Sequence, residues 1–232
     1  MNTIPACKKR DSLSRISFWI TKPPHFLRSV FPATVVWRVP VDDRRVFLTF
    51  DDGPVPGVTP WVINRLKQYN ALATFFCVGD NVRKYPGVFS KLQSTDHETG
   101  IHGFLHKPAH KLSRRDFYDD IRKSLELNPY ARWYRPPHGL LLPWRVSRIR
   151  KMGLQTAMWD ILSRDYDRSL SPEDVINNVL SNIRPGAIIV FHDSLKAWPN
   201  LKTALPVVLS RISEIGYQTD ILSSLNIKQT EL

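Results

Sequence analysis

The 232-residue sequence predicts an α/β protein built on a parallel sheet. Two observations carry that prediction. Short apolar runs, rich in β-branched and aromatic residues, alternate about six or seven times with stretches whose apolar residues recur at helical spacing. Five of those apolar runs are followed at once by acids, histidines or an arginine. In parallel α/β folds ligands sit beyond the C-terminal ends of the strands, so side chains placed there can converge. The alternation fits both a closed barrel and an open doubly wound sheet.

The elements follow in chain order. Val46 to Phe50 is a buried strand, broken by Gly53, Pro54, Pro56 and Gly57. A helix from about Thr59 carries Val62, Leu66 and Tyr69 on one face, with Pro60 in its first turn. Ala73 to Val78 is a second buried strand, punctuated by Gly79-Asp80-Asn81, and a helical stretch with Val88, Phe89 and Leu92 follows. His97 to Ile101 reads as a short strand entering a histidine-rich loop. Ser113 is a helix N-cap, with Asp116 three residues on and Phe117, Ile121 and Leu125 as the inner face. The strand at Trp133-Tyr134-Arg135 is ended by two prolines. A helix over Trp144–Met152 leads to a strand over Gln155–Trp159. Ser171-Pro172-Glu173 opens a helix that Pro185-Gly186 ends. The strand Ala187–Phe191 and a helix from about Thr203 to Ile215 complete the chain, with Gly216 as a C-terminal cap.

A chain 42% hydrophobic, 23% charged and 11% aromatic is long and apolar enough to bury one large core. It shows no low-complexity tract, repeat or linker, so residues 46–232 read as a single domain and residues 1–45 as a basic segment packed on it or flanking it. The two cysteines, Cys7 and Cys77, make no disulfide framework. The net charge of +12 is unevenly spread. Residues 1–45 hold nine Lys/Arg against three Asp, and residues 107–151 hold twelve against four acids. Such excess favours anionic membrane, glycan or nucleic acid, although solvated helix faces also account for it. No nucleic-acid-binding motif is present, so no nucleic-acid partner is expected. The apolar stretch Ile16–Ile20 is too short to span a bilayer, and nothing resembles a cleaved export signal. The expectation is therefore a cytoplasmic or peripheral membrane protein, with aromatics and Arg15, Lys22, Arg28 and Arg38 able to meet an anionic membrane surface.

The strand ends carry the chemistry. Asp51 and Asp52 are adjacent carboxylates that repel each other unless a cation is near. Asp-Asp-Gly alone is also an ordinary turn. His102 and His106 have the i, i+4 spacing of a zinc-ligand pair, which a carboxylate completes while leaving a position for water. The sequence HGFLH lacks the glutamate of the metalloprotease motif. His97 reads as structural, and the role of His110 stays open, with a place outside the ligand set preferred. Arg135, beside two prolines, has little freedom and suits the orienting of a carboxylate. His192, ending a fully apolar strand, is a candidate acid or base.

Five motifs stand in one order: Thr49-Phe50-Asp51-Asp52-Gly53-Pro54, His102 to His106, Arg135-Pro136-Pro137-His138-Gly139, Trp159-Asp160 through Asp165-Tyr166, and Phe191-His192-Asp193. In this the chain resembles the polysaccharide deacetylases of carbohydrate esterase family four, from about Val46 to Leu222. The resemblance implies a distorted (β/α) barrel with about seven parallel strands. It implies a divalent metal, zinc in the first place with cobalt or nickel as alternatives, bound by Asp52, His102 and His106. It implies Asp51 as general base, Arg135 holding Asp51, His192 as general acid and Asp165 tuning His192. Pro137, Tyr134, Tyr166 and Val190 would meet the substrate, with Val190 lining an acetyl pocket and the Tyr134 backbone N–H a candidate oxyanion donor. The implied reaction is hydrolytic removal of N-acetyl groups from an N-acetylhexosamine glycan such as peptidoglycan or chitin. An O-acetyl esterase of the same fold, or a non-catalytic glycan or membrane-surface binder, is the alternative. The match departs from the family pattern at Gly103, where Ser or Thr is usual, and at His138, Arg164 and Tyr166, all beside the groove.

Overall fold

The computed structural model describes residues 21–24 and 28–224. Cys7 and the basic and apolar stretches before residue 21 lie outside the described residues.

Nine strands, β1 (Val35–Val36), β2 (Arg45–Asp51), β3 (Ala73–Cys77), β4 (Glu98–Ile101), β5 (Trp133–Tyr134), β6 (Gln155–Ala157), β7 (Ile161–Leu162), β8 (Ile188–His192) and β9 (Gln218–Thr219), form one parallel sheet. Its order is β1, β6, β5, β4, β3, β2, β8, β7, with β9 beside β2. Among the described residues from β1 onward the α-helices are α1 (Val58–Gln68), α2 (Gly79–Lys84), α3 (Pro86–Gln93), α4 (Arg114–Leu127), α5 (Val146–Lys151), α6 (Pro172–Leu180) and α7 (Trp198–Glu214).

The sheet curls into a distorted barrel whose seam lies between β6 and β8. Two pieces of chain close that seam. Residues 158–160 carry the backbone from β6 across to β7, which pairs with β8. Below them, β1 pairs with β6, and Arg38 then bridges Ala187 at the start of β8. The expected count of about seven strands is low because β1 and β7 are two residues each, too short to leave a pattern. The expected strand over Gln155–Trp159 therefore stops at Ala157 and bends. Three helices also differ from expectation. A helix, α2, starts at Gly79 where a loop was expected. A 3₁₀ turn at Pro143–Arg145 precedes α5. Helix α7 begins at Trp198, with Pro199 in its first turn. Ser113 does cap α4, accepting from the Asp116 N–H, and Ser171 and Asp174 form a capping box on α6.

Alternation along the strands sorts side chains into two layers. Outward, Leu48, Phe50, Phe75, Ile189 and Phe191 pack with Val62, Leu66, Leu205 and Leu209 of the helices. Each such side chain, when fully buried, contributes about 1.5–3 kcal/mol. Inward, Phe47, Phe76, Trp133, Ala157 and Ile188 plug the lower barrel. Register then sets the levels above the plug. Phe47 pairs with Ile188, Thr49 with Val190, and Asp51 with His192. Apolar filling gives way to polar groups toward the C-terminal ends.

Candidate active site

Arg135 occupies the level between plug and mouth. It is 1% exposed, and its guanidinium lies 4.1 Å from the Phe76 ring centre. Its Nη1 donates to Thr49 Oγ1 and to Asp51 Oδ1, each at 2.7 Å. Its Nη2 donates to the Met158 carbonyl and its Nε to that of Ala157. Burial pulls its pKa down, but the Asp51 charge and hydrogen bond act the other way. A buried charge is tolerable only with such partners. The fork leaves Asp51 one oxygen, Oδ2, which lies 3.9 Å from His102 Nε2.

Asp52, His102 and His106 offer three donor atoms within 4.8 Å of one another. Asp52 Oδ1 lies 3.0 Å from His106 Nε2 and 3.8 Å from His102 Nε2. Ligands on a tetrahedral zinc stand about 3.4 Å apart, given bonds of about 2.1 Å. The set therefore fits a divalent ion. His102 Nδ1 lies 2.9 Å from the Arg135 carbonyl oxygen. A carbonyl only accepts, so Nδ1 carries the proton and the Nε2 lone pair is turned toward Asp52. Burial lowers the His102 pKa to about 4, keeping the ring neutral as a metal ligand requires. Asp52 is held well below the usual carboxylate range. Burial opposes this, but the hydrogen bond from His106 and the nearby histidines outweigh it.

The loops that present these ligands are fixed by residues to which the sequence assigned no role. Asp193 is buried; its carboxylate accepts from the Gly53 N–H at 3.0 Å and from the Thr59 hydroxyl at 2.5 Å. Asn81 donates to the Asp52 carbonyl. A Cβ on Gly53 would stand 2.0 Å from Asp193 Oδ2, so only glycine lets this clamp close. Asp120 of α4 accepts from the Phe104 and Leu105 N–H groups and so shapes the turn between His102 and His106. Gly103 in that turn has φ +71, a conformation in which a Ser or Thr side chain would be strained. Asp193 follows a strand-end histidine, which was a signal. Asp120 gave none, because its partners are backbone groups of a distant loop.

His192 faces the same mouth. Its Nδ1 lies 2.7 Å from Asp165 Oδ1, and its own N–H donates to Asp165 Oδ2. Asp165 is completely buried, and Asn200 donates to its carbonyl. Burial works against the charged imidazole, but the Asp165 charge and hydrogen bond prevail, helped by Asp52 and Asp51, and the pKa rises to about 9.

Among the remaining expected residues, Val190 is 2% exposed and at the Thr49 level of the interior. Pro137 packs beside Gly103. Tyr166 stands edge-on to His192 at 4.8 Å, with the Lys196 ammonium over its ring. His138 packs against His106 with its ring tilted, centroids 4.5 Å apart. Tyr134 is not brought to the site by its side chain. Its ring packs against Phe117 of α4, in the outer layer. Asp160 likewise is not at the mouth. Its N–H bonds the carbonyl of Ile188, at the opposite end of β8 from His192. There its buried carboxylate pairs with Arg28 and Arg184.

Residues 38–157 match the family model described as polysaccharide deacetylase. The chain is 30% identical over 198 residues to a peptidoglycan-N-acetylglucosamine deacetylase of Bacillus cereus, covering 82% of this chain and 92% of that protein. It is 33% identical over 162 residues to a chitooligosaccharide deacetylase of Azorhizobium caulinodans, covering 67% and 77%. The fold is similar to the crystal structure of the Bc1960 peptidoglycan N-acetylglucosamine deacetylase, with TM-score 0.79, 28% identity and coverage of 87% and 95%. A CE4 family pseudoenzyme from Bacillus anthracis shares the fold too, at TM-score 0.75 and 23% identity over 82% of this chain and 68% of that one. Fold alone therefore does not decide activity, and the side chains of the site must. With the family model covering more than half its length, the chain belongs to the polysaccharide deacetylase family.

Proposed function

We propose that this protein is a metal-dependent hydrolase that removes acetyl groups from N-acetylglucosamine units of a glycan, releasing acetate and a free amino sugar. The observation that carries the reading is the meeting, at one barrel mouth, of a three-ligand set with a clamped carboxylate and an acid-paired imidazole. The peptidoglycan and chitooligosaccharide deacetylases among its relatives support an N-acetylglucosamine polymer as substrate. Residues 46–232 carry the catalytic groups, and residues 35–39 of the preceding segment complete their barrel. Two imidazoles and one carboxylate with an open position suit zinc, with cobalt or nickel able to substitute.

A divalent ion held by Asp52, His102 and His106 supplies Lewis acidity, making water a better nucleophile and polarising the acetyl carbonyl. The chain's own groups do the rest. Arg135, itself held by Thr49, fixes Asp51, whose remaining oxygen takes the proton of the attacking water. Asp165 holds the Nδ1 side of His192, so Nε2 is presented to the leaving nitrogen. With a pKa of about 9, His192 is charged at neutral pH and ready to protonate an amine that would otherwise leave poorly. Val190, below that level, offers an apolar wall to the acetyl methyl.

The test is acetate release from N-acetylglucosamine oligomers and peptidoglycan fragments. Release should stop with chelator, return with zinc, and be absent in Asp51→Asn. Metal-loaded protein that frees acetate only from O-acetylated xylan, or from nothing, would overturn the reading.

A further inference from the structure

The rim of the mouth has a surface that neither the ligand set nor the acid–base pair uses. Two loops form one side of it, residues 104–112 after β4 and residues 138–145 after β5. They are joined into one surface by Arg145, which is buried and donates to the carbonyls of Ala109 and Leu112. Large apolar side chains project from both: Leu105 is 50% exposed, Leu140 47% and Trp144 72%. Leu195, in the loop after β8 on the same end of the sheet, is 68% exposed. Elsewhere along the strands such side chains are buried in the core.

Charge within the segments that carry these residues is mostly positive. Neither residues 104–115 nor residues 138–151 contain an Asp or Glu, yet together they contain eight Lys/Arg. All but Arg145 are exposed. Lys107 and Lys111 stand on the first loop, and Lys111 is near enough to His138 to act on its charge. Lys196 flanks Leu195 on the far side. A protruding indole and leucines within a net-cationic surface match the interface of an anionic bilayer. There apolar tips enter between headgroups, and each Lys or Arg gains about 1 kcal/mol from the surface potential. A soluble polyanion would answer the charge and leave the leucines in water.

We propose that this rim docks the open end of the barrel onto an anionic lipid surface, so that the site works on glycan held at a membrane. The surface differs from residues 1–45, whose basic character is a separate feature of the sequence.

The experiment uses the full chain and sedimentation with vesicles of phosphatidylcholine, alone or mixed with phosphatidylglycerol. Wild type should pellet with the mixed vesicles and stay in solution with the neutral ones. The doubles Leu140→Ser/Trp144→Ser and Lys107→Gln/Lys111→Gln should each lower partitioning about tenfold or more. Both should keep wild-type kcat and KM on a soluble N-acetylglucosamine oligomer and a wild-type circular dichroism spectrum. Wild type that remains in solution with anionic vesicles overturns the proposal. So do doubles that pellet like wild type, which would move binding to residues 1–45. A Trp144→Ser protein with raised KM for soluble oligomer and unchanged vesicle binding also overturns it, making the indole a sugar platform. DNA that binds as tightly as the mixed vesicles, and loses affinity only in the lysine double, would make the rim a general polyanion site and overturn it too. Vesicle binding is read without turnover, so its failure is separable from failure of the deacetylase reading.

Discussion

The carbonyl oxygen of Arg135 receives His102 Nδ1 at 2.9 Å while the guanidinium of the same residue grips Asp51 at 2.7 Å. One residue thus orients a proposed metal ligand with its backbone and the proposed base with its side chain. The two jobs are separable by mutation. Arg135→Lys keeps the carbonyl but loses the planar fork to Thr49, Asp51 and Met158. Metal affinity should stay within about tenfold of wild type while kcat falls about 100-fold, the usual cost of a misplaced catalytic group. Calorimetric zinc titration beside steady-state kinetics checks this. A parallel loss of metal would contradict it.

His192 sets the alkaline limit. Its pKa of about 9 follows from Asp165, which outweighs burial. As the acid, it must carry its proton, so kcat should hold to about pH 9 and then decline. Asp165→Asn keeps the shape and removes the charge, and the limb should move down in pH. Stability follows the same sign. The folded pKa lies above the ordinary 6.5, so the pair stabilises fully below about pH 6.5 and loses that contribution as pH rises through about 9. Asp165→Asn should therefore cost more stability at pH 6 than at pH 10 in urea unfolding, and equal costs would refute the assignment.

Gly53→Ala should injure metal binding from outside the ligand set. Its Cβ would meet the Asp193 carboxylate at 2.0 Å, and the loop bearing Asp52 must shift. Overpacking of this kind costs about 1–3 kcal/mol. The melting temperature should drop, and zinc affinity should fall at least about tenfold. Wild-type affinity in a destabilised protein would show that the clamp serves folding alone.

Asp160 predicts the reverse pattern. It lies at the far end of the barrel, completely buried between Arg28 and Arg184. Burial raises its pKa, but the two guanidinium groups hold it below the usual value. Asp160→Ala leaves both arginines without their carboxylate and should cost about 3 kcal/mol. The loss should fade as pH falls below the ordinary carboxylate range, where wild type gives up the same contribution. Acetate release at low temperature should be unchanged; a fall in kcat without a fall in stability would place Asp160 in the chemistry after all.

The site was legible where chemistry follows a buried strand, because a strand buried on both faces is an apolar run and its end is conspicuous. Asp51, Arg135 and His192 were found that way, and His102 by its spacing to His106. The same rule misplaced Asp160, since a bend of three residues turns one apparent strand into β6 and β7 and puts its acid at the start of β7. Arg135 points into the barrel, so the Tyr134 side chain points out, and the expectation for Tyr134 rests on its backbone N–H alone, the group named as a candidate oxyanion donor. Asp120 was silent because its partners are backbone N–H groups, which have no residue identity for a sequence to reveal. Strands β1 and β7 were silent because two residues cannot show a period; β5, equally short, was marked by the two prolines that follow Arg135.

The bend after β6 has one more consequence. A barrel of this size normally fills with apolar side chains, and a charge inside it would find every backbone acceptor committed to a neighbouring strand. Where the chain leaves β6, the carbonyls of Ala157 and Met158 face the interior and accept from Arg135. The irregular seam is thus the place where the fold becomes polar enough to house a guanidinium, and a more perfect barrel would be a poorer host for this base.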